Sequence, residues 1–252
     1  MDLVQQNNPR RLLVPNWLLP HGFLGRELDF RAVTHSAPDS QTPVESELFQ
    51  GQPLYLLQQV HGADLIEVLS ESDLQGLESD LPHADGWLIA PEVHVGRFGI
   101  RTADCIPVLL RGGGYRAALH CGWRSTLSGI LSTTLTRLHA LGVAEVEVAI
   151  GPGAQRCCYE IQEDVAGLVR AAVRDLPDNL RNPVTAEELM VLHSTANGKY
   201  FLDLARLLVE QALRYGVRSE GLFQTKLCTI CTPDFFSYRR EKELSGRQVS
   251  FI

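Results

Sequence analysis

Short aliphatic runs bounded by glycine or proline dominate the middle of the chain, over residues 54–60, 65–69, 86–90, 98–102, 106–110, 115–120 and 146–150. Runs of this length are too short for helices and match strands with little solvent exposure. Gly112-Gly113-Gly114 separates two of them, and glycine reaches positive φ without steric cost, which predicts a tight hairpin. Other stretches follow a helical period. Leu127, Ile130, Leu131, Leu135 and Leu138 share one face up to Gly142, and Val165, Leu168, Val169, Ala172 and Val173 share another. Leu204, Leu207, Leu208 and Ala212 form a third, which stops before Gly216. Each helix has one apolar face and so must pack on something. Strands in antiparallel succession followed by long helices predict a mixed α+β layered fold rather than a regular βαβ repeat. No G-x-G-x-x-G follows a strand, which speaks against a dinucleotide-binding fold. Residues 35–53, rich in Ser, Pro, Gln and Glu, and the acidic stretch 70–83 read as surface loops. No repeat or linker divides the chain, so a single domain over 1–252 is expected.

Composition adds exclusions. With 252 residues, 44% apolar and 21% charged, the chain can bury a sizeable core. Its net charge is −7 and no basic run exceeds a pair, which argues against nucleic acid as a partner. The longest aliphatic stretches last about six residues, too few for a signal peptide core or a membrane span. A cytoplasmic location is therefore expected, and there the six cysteines would stay reduced. Buried thiols, metal ligation or catalysis become their expected uses.

Cys105 opens one very apolar strand, in Thr102-Ala103-Asp104-Cys105-Ile106-Pro107, and His120 closes the next, in His120-Cys121-Gly122-Trp123-Arg124. Pairing the two strands about the glycine turn brings Cys105 near His120. Two chemistries suit that pair. Imidazole can take the thiol proton so that the thiolate attacks an acyl or amide carbon, or both can ligate Zn²⁺ with a third ligand and one open position. His61, in Gln59-Val60-His61-Gly62, is the candidate third ligand, with Gly62 expected to turn the chain beside it. The spacing of 61, 105 and 120 matches no short zinc motif.

These blocks, with Ile150-Gly151-Pro152, Cys157, Tyr159-Glu160 and Phe235-Phe236-Ser237-Tyr238-Arg239-Arg240, resemble in order and spacing the YfiH family of laccase-domain proteins. The family includes polyphenol oxidoreductase-type purine nucleoside phosphorylases and peptidoglycan editing relatives. The resemblance runs from about residue 21 to residue 252. It implies a four-layer α/β/β/α sandwich with mixed sheets, similar to the cytotoxic necrotizing factor-like cysteine hydrolase fold. It also implies one Zn²⁺ held by His61, Cys105 and His120, which are then the catalytic residues as well. The implied activity is phosphorolysis of adenosine, inosine and methylthioadenosine, with adenosine deamination beside it. The chain departs from the family pattern at Cys121 and Ser125, and in lacking the Gly-Gly-Val-Ser and Ser-Leu-Asn-Leu segments near the start.

Around that site, Asp104 or Asp85 is the candidate acid for ammonia loss, and Arg26 and Arg124 are the candidate phosphate holders. Either Arg239 or Arg240 is a further cation that can face phosphate. Cys121 is expected to point away from the site into packing. Cys157 and Cys158 read as core, and Cys228-Thr229-Ile230-Cys231 has ligand spacing but no visible second pair. Gly151-Pro152-Gly153 reads as a tight loop, with anion binding by its N–H groups as the alternative. Three other functions compete. A metal-independent cysteine hydrolase built on Cys105 and His120 would act on cell-wall precursors, and a binding module would have no turnover. A copper-dependent polyphenol oxidase (laccase) would need H-x-H pairs, which the eight histidines never form.

Overall fold

The computed structural model describes residues 1–7, 10–33, 37–77, 81–180, 183–194 and 199–252. The chain opens with β1 (Val4–Asn7), β2 (Arg10–Leu13), β3 (Gly22–Leu24), α1 (Pro43–Phe49), β4 (Leu54–Tyr55) and β5 (Leu65–Val68). It continues with β6 (Gly86–Ile89), β7 (Arg97–Thr102), β8 (Ile106–Gly112), β9 (Tyr115–Cys121), α2 (Trp123–Leu127), α3 (Ile130–Ala140) and β10 (Glu147–Ile150). Then come β11 (Glu160–Gln162), α4 (Glu163–Arg174), α5 (Ala186–Leu189), β12 (Met190–Ser194), β13 (Lys199–Leu202) and α6 (Leu204–Arg214). The last elements are β14 (Leu222–Gln224), α7 (Tyr238–Glu241) and β15 (Gln248–Phe251).

Two six-stranded mixed sheets form the centre, in the orders β1-β2-β3-β15-β7-β4 and β14-β10-β8-β9-β6-β5, and a small sheet β11-β13-β12 flanks them. Strand alternation sorts the side chains into layers. Phe23, Phe98 and Ile100 of the first sheet meet Trp87, Ile89, Leu109, Ala118 and Ala149 of the second in a shared core. On its outer face the second sheet turns Val108, Leu110, Leu119 and Val148 toward Leu131 and Leu135 of α3 and Leu207 and Leu208 of α6. The first sheet turns Leu24, Val249 and Phe251 toward Leu48 and Phe49 of α1. The result is the expected α/β/β/α order. Each fully buried Leu or Phe in these layers contributes roughly 1.5–3 kcal/mol of transfer free energy.

The predicted hairpin is present. β8 pairs with β9 from Ile106↔Cys121 to Gly112↔Tyr115, and Gly113 and Gly114 close it with φ of 55° and 85°. Two consecutive positive φ values are what a two-residue hairpin loop requires.

Several expectations need correction. Residues 43–49 lie in α1 rather than in a loop, started by a capping box in which Thr42 Oγ1 accepts from Glu45 N and Glu45 reaches back to Thr42 N. Residues 35–36 and 78–80 of the two expected loops lie outside the described residues. The strand expected over 54–60 is only Leu54–Tyr55, because the chain then bends toward His61. The first helix is broken at Ser128-Gly129 into α2 and α3. The second helix runs over Glu163–Arg174 and follows directly on the strand Glu160–Gln162. Cys157 is exposed and Cys158 half-buried, so neither is a core residue. No helix among the described residues is long and apolar enough to cross a membrane.

Candidate functional site

The site forms where the chain crosses from one central sheet to the other. β7 ends at Thr102 and β8 begins at Ile106, so Ala103-Asp104-Cys105 is the crossover. Asp104 takes φ 92°, an uncommon conformation for a non-glycine residue. Its carboxylate holds it there by accepting from Thr229 Oγ1 at 2.8 Å and from Arg239 N at 2.6 Å.

His61 arrives from the loop after β4. Gln59 anchors that loop by exchanging two hydrogen bonds with the Arg101 backbone, each 2.8 Å, as a paired strand residue would. The next three peptides wrap around Asp85. Val60 N, His61 N and Gly62 N donate to its carboxylate at 3.2, 2.9 and 2.6 Å. The left-handed residue is His61 itself, with φ 61°, rather than Gly62. Asp85 also accepts from His120 Nδ1 at 2.8 Å, while His120 N donates to Asp85 O at 2.7 Å. One buried carboxylate therefore fixes both histidines, one through its backbone and the other through its ring.

The ligand atoms of His61, Cys105 and His120 lie within 4.8 Å of one another, and the two imidazole centroids are 4.8 Å apart. Gly122 makes room for them: a Cβ there would sit 3.0 Å from Cys105 Sγ and 3.4 Å from His61 Cδ2. Cys121 points the other way and packs in the core with Ile106 and Leu119.

Electrostatics set the charge of these groups. Burial by itself would raise the Cys105 thiol, but the charge and hydrogen bond of His120, joined by His61, bring it from 9.0 down to about 6. Burial would lower His120, yet the Cys105 thiolate and the Asp85 carboxylate outweigh it and raise the imidazole to about 9. Burial opposes ionisation of Asp85 as well, and the His120 and Gly62 hydrogen bonds still hold its pKa below the ordinary value. Without metal, the site is thus a thiolate–imidazolium pair between about pH 6 and about pH 9. The sign of the linkage follows. Cys105 is depressed, so its stabilisation is lost as pH falls through about 6, and His120 is raised, so its contribution is lost as pH rises through about 9. Iodoacetamide labelling of Cys105 in metal-stripped protein, followed by peptide mass spectrometry, is expected to rise with a midpoint near pH 6. A midpoint near 9.0, the value of an unperturbed thiol, would contradict the ion pair.

The donor set fits a metal ion. Two imidazoles and a thiol that ionises readily make three ligands and leave a fourth position open, the pattern of catalytic zinc. The Asp85 hydrogen bond to the far nitrogen of His120 is the outer support that metal-bound histidines commonly have. No second histidine-containing cluster occurs among the described residues.

Around the three residues lies a cavity of about 710 Å³, lined by Arg31, Arg101, Arg124, Arg239 and Arg247 and, among the described residues, by a single carboxylate, Asp104. The guanidinium of Arg124 rests 4.3 Å from the Trp123 ring and that of Arg239 5.4 Å from the Tyr159 ring. Neither pairs with a carboxylate side chain among the described residues. Arg26 is not on the lining; it pairs with Glu241 at 2.9 Å and lies over Phe236. Arg240 is bound by the carbonyls of Thr229, Ile230 and Phe235. Asp85 is fully buried behind the histidines and off the cavity surface. Gly151 N donates to Pro107 O, so the Gly151-Pro152-Gly153 turn serves packing. Arg31, Arg101, Arg247, Tyr159 and Tyr238 also reach the cavity; the two tyrosines lie in the blocks that carry the family resemblance, whereas no local sequence signal marks the three arginines.

The family whose model matches residues 40–252 is described as multi-copper polyphenol oxidoreductase laccase. The purine nucleoside phosphorylase YlmD of Geobacillus stearothermophilus is 32% identical over 206 residues, covering 77% of this chain and 70% of that protein. A purine nucleoside phosphorylase of Aquifex aeolicus is 27% identical over 219 residues, covering 85% and 96%. The crystal structure of YlmD from Geobacillus stearothermophilus matches with a TM-score of 0.80 at 24% identity, over 100% of this chain and 98% of that one, and so shares the fold.

Proposed function

The chain belongs to the laccase-domain (YfiH) family, and from that premise we propose that it is a zinc-dependent purine nucleoside phosphorylase acting as a single domain over residues 1–252. Its substrates in this reading are adenosine, inosine and methylthioadenosine with phosphate, and adenosine deamination is a side activity. The observation that carries it is the arginine-lined cavity around His61, Cys105 and His120, on a chain whose net charge is −7. An anionic co-substrate needs such a local reversal of sign. The volume of about 710 Å³ also suits a small-molecule site.

His61, Cys105 and His120 hold the Zn²⁺. When bound, it supplies Lewis acidity and a lowered pKa of water. Phosphorolysis forms a bond from a phosphate oxygen to the anomeric carbon while the bond from that carbon to the purine nitrogen breaks. The purine leaves with the electron pair and takes up a proton. Arg124 and Arg239 hold the phosphate, because their stacked guanidinium groups keep N–H donors free for bidentate contact. Arg239 takes the role first given to Arg26, which Glu241 occupies. Tyr159 is kept protonated by burial and offers the departing base a hydroxyl donor. Asp104 faces the cavity as the acidic group, whereas Asp85 orients the histidines.

Purified protein given inosine or adenosine in phosphate buffer is expected to release the free base and ribose 1-phosphate. Chelation is expected to stop turnover, and zinc rather than copper to restore it. Base release that needs no phosphate would overturn the reading.

A metal-independent cysteine hydrolase remains the second reading, because Cys105, His120 and Asp85 are ordered as nucleophile, base and orienting acid. Activity on a cell-wall precursor that survives chelation and is lost on alkylation of Cys105 would select it.

A further inference from the structure

Outside the cavity, the fold closes a gap that the sequence leaves open. Cys228 and Cys231 have ligand spacing but no partner pair nearby in the chain. The structure brings that pair from Cys157 and Cys158, some seventy positions earlier, and the four ligand atoms lie within 4.8 Å of one another. Adjacent residues on a strand would point to opposite faces. Here they sit in a turn, in which Cys158 N and Tyr159 N both donate to Gln155 O, and both thiols reach the same place.

The spacing is that of metal ligands. Cys157 Sγ and Cys231 Sγ are 3.8 Å apart. The edge of a tetrahedron with metal–sulfur bonds of about 2.3 Å is about 3.8 Å, while a disulfide bond is about 2.05 Å. Gln155 N donates to Cys228 Sγ at 3.5 Å, and Arg240 brings its positive charge to the carbonyls of Thr229 and Ile230 at 2.7 and 2.9 Å. Four thiolates at this density repel one another unless a cation lies among them.

We propose that Cys157, Cys158, Cys228 and Cys231 form a second metal site, a tetrathiolate that binds one Zn²⁺ as a structural clamp. Binding releases four thiol protons to solvent and leaves a site with two net negative charges. The Cys228 sulfur accepts the Gln155 N–H, while Arg240, itself paired with Glu241, lies beyond the Thr229 and Ile230 carbonyls. All four ligand positions come from the protein, so the ion has no open position. The clamp joins the loop after β10 to the loop after β14, reinforcing the Gly153↔Cys228 bridge and the 3.1 Å bond from Thr229 N to Gly153 O. Both loops continue into the cavity wall. Tyr159 follows Cys158, and Thr229 holds Asp104, the neighbour of Cys105, at 2.8 Å.

Metal content of the full-length protein, prepared anaerobically under reducing conditions with zinc, tests the clamp separately from the cavity site. Cys105→Ala is expected to keep one zinc per chain, and to show thiolate-to-cobalt charge-transfer bands with tetrahedral d–d bands when cobalt replaces it. The double variant Cys157→Ser/Cys231→Ser is expected to lose one zinc relative to wild type and to melt about 5 °C lower or more. If that variant does not fold, the zinc and cobalt readings on Cys105→Ala decide alone. A Cys105→Ala protein without zinc, iron in place of zinc, or a disulfide among the four cysteines would overturn the proposal. Loss of the cavity metal alone would leave it standing.

Discussion

Cys105→Ala is expected to remove the metal of the cavity site and to lower phosphorolysis of inosine roughly 10³-fold or more, since the effects of residues that act as a unit fall on the whole unit. The physical basis is threefold. The substitution deletes the only thiolate of the three donors and leaves two imidazoles, which bind zinc weakly. It also removes the negative charge that, after burial, is the largest influence on His120, so the imidazole loses its main reason to stay charged at about 9. Finally, it vacates the space that Gly122 keeps open at 3.0 Å from the sulfur, so water occupies the place of a ligand. Elemental analysis and a product assay on the same preparation check it. The fold is expected to survive, because Cys105 is only half-buried and the β8–β9 hairpin does not depend on it. Full activity with undiminished metal would sink the assignment of this residue.

The second large effect is expected at Asp85, a residue that touches no substrate. Its carboxylate accepts three backbone N–H groups and His120 Nδ1, and it is fully buried. Asp85→Ala leaves four donors without an acceptor and is expected to cost about 3–5 kcal/mol of stability, the usual range for breaking a buried charged network. Asp85→Asn keeps the shape but supplies only one acceptor oxygen and turns an amide N–H toward backbone donors. The β5–β6 and β8–β9 pairings remain, so this variant is expected to fold with zinc affinity at the cavity site lowered 10- to 100-fold. Its discriminating readout is the labelling profile of metal-stripped protein. With the carboxylate gone, His120 is less strongly held in the charged form, and the Cys105 midpoint moves upward from about 6. Unchanged zinc affinity in a folded Asp85→Asn protein would show that the histidines are positioned by other contacts.

The parts of the site that are legible in the sequence are the local ones. Cys105 and His120 lie at the ends of two strands joined by a two-glycine turn, so a period of two and one hairpin suffice to bring them together. His61 is different. The sequence offers it as a third ligand and the family resemblance joins it to the pair, but its link to them runs through Asp85, and nothing in the spacing of 61, 85, 105 and 120 announces that connection. The helix over Pro43–Phe49 was hidden in a polar stretch, although the Thr42 and Glu45 capping box was there to be read. The strand β15 lies between β3 and β7, and a run as short as Gln248–Phe251 carries no sign of such distant partners. The cysteines at 157 and 158 looked like core because thiols are usually buried, while the turn that carries them lies at the surface.

By itself the sequence determined the central strands and the apolar faces of the long helices, the central hairpin, the absence of a long basic run and the residue kinds available for metal ligation, because each follows from side chains a few positions apart. It also showed a chain of net charge −7, which by itself disfavours an anionic co-substrate. Tertiary structure decided the rest: the four-layer order, the carboxylate that holds two histidines, the meeting of two cysteine pairs, and the gathering of Arg31, Arg101, Arg124, Arg239 and Arg247 around one cavity. The physical reason is that an apolar period says which face of an element is buried but not what it is buried against. Groups far apart in the chain come together only once the packing of those faces has fixed where each loop ends.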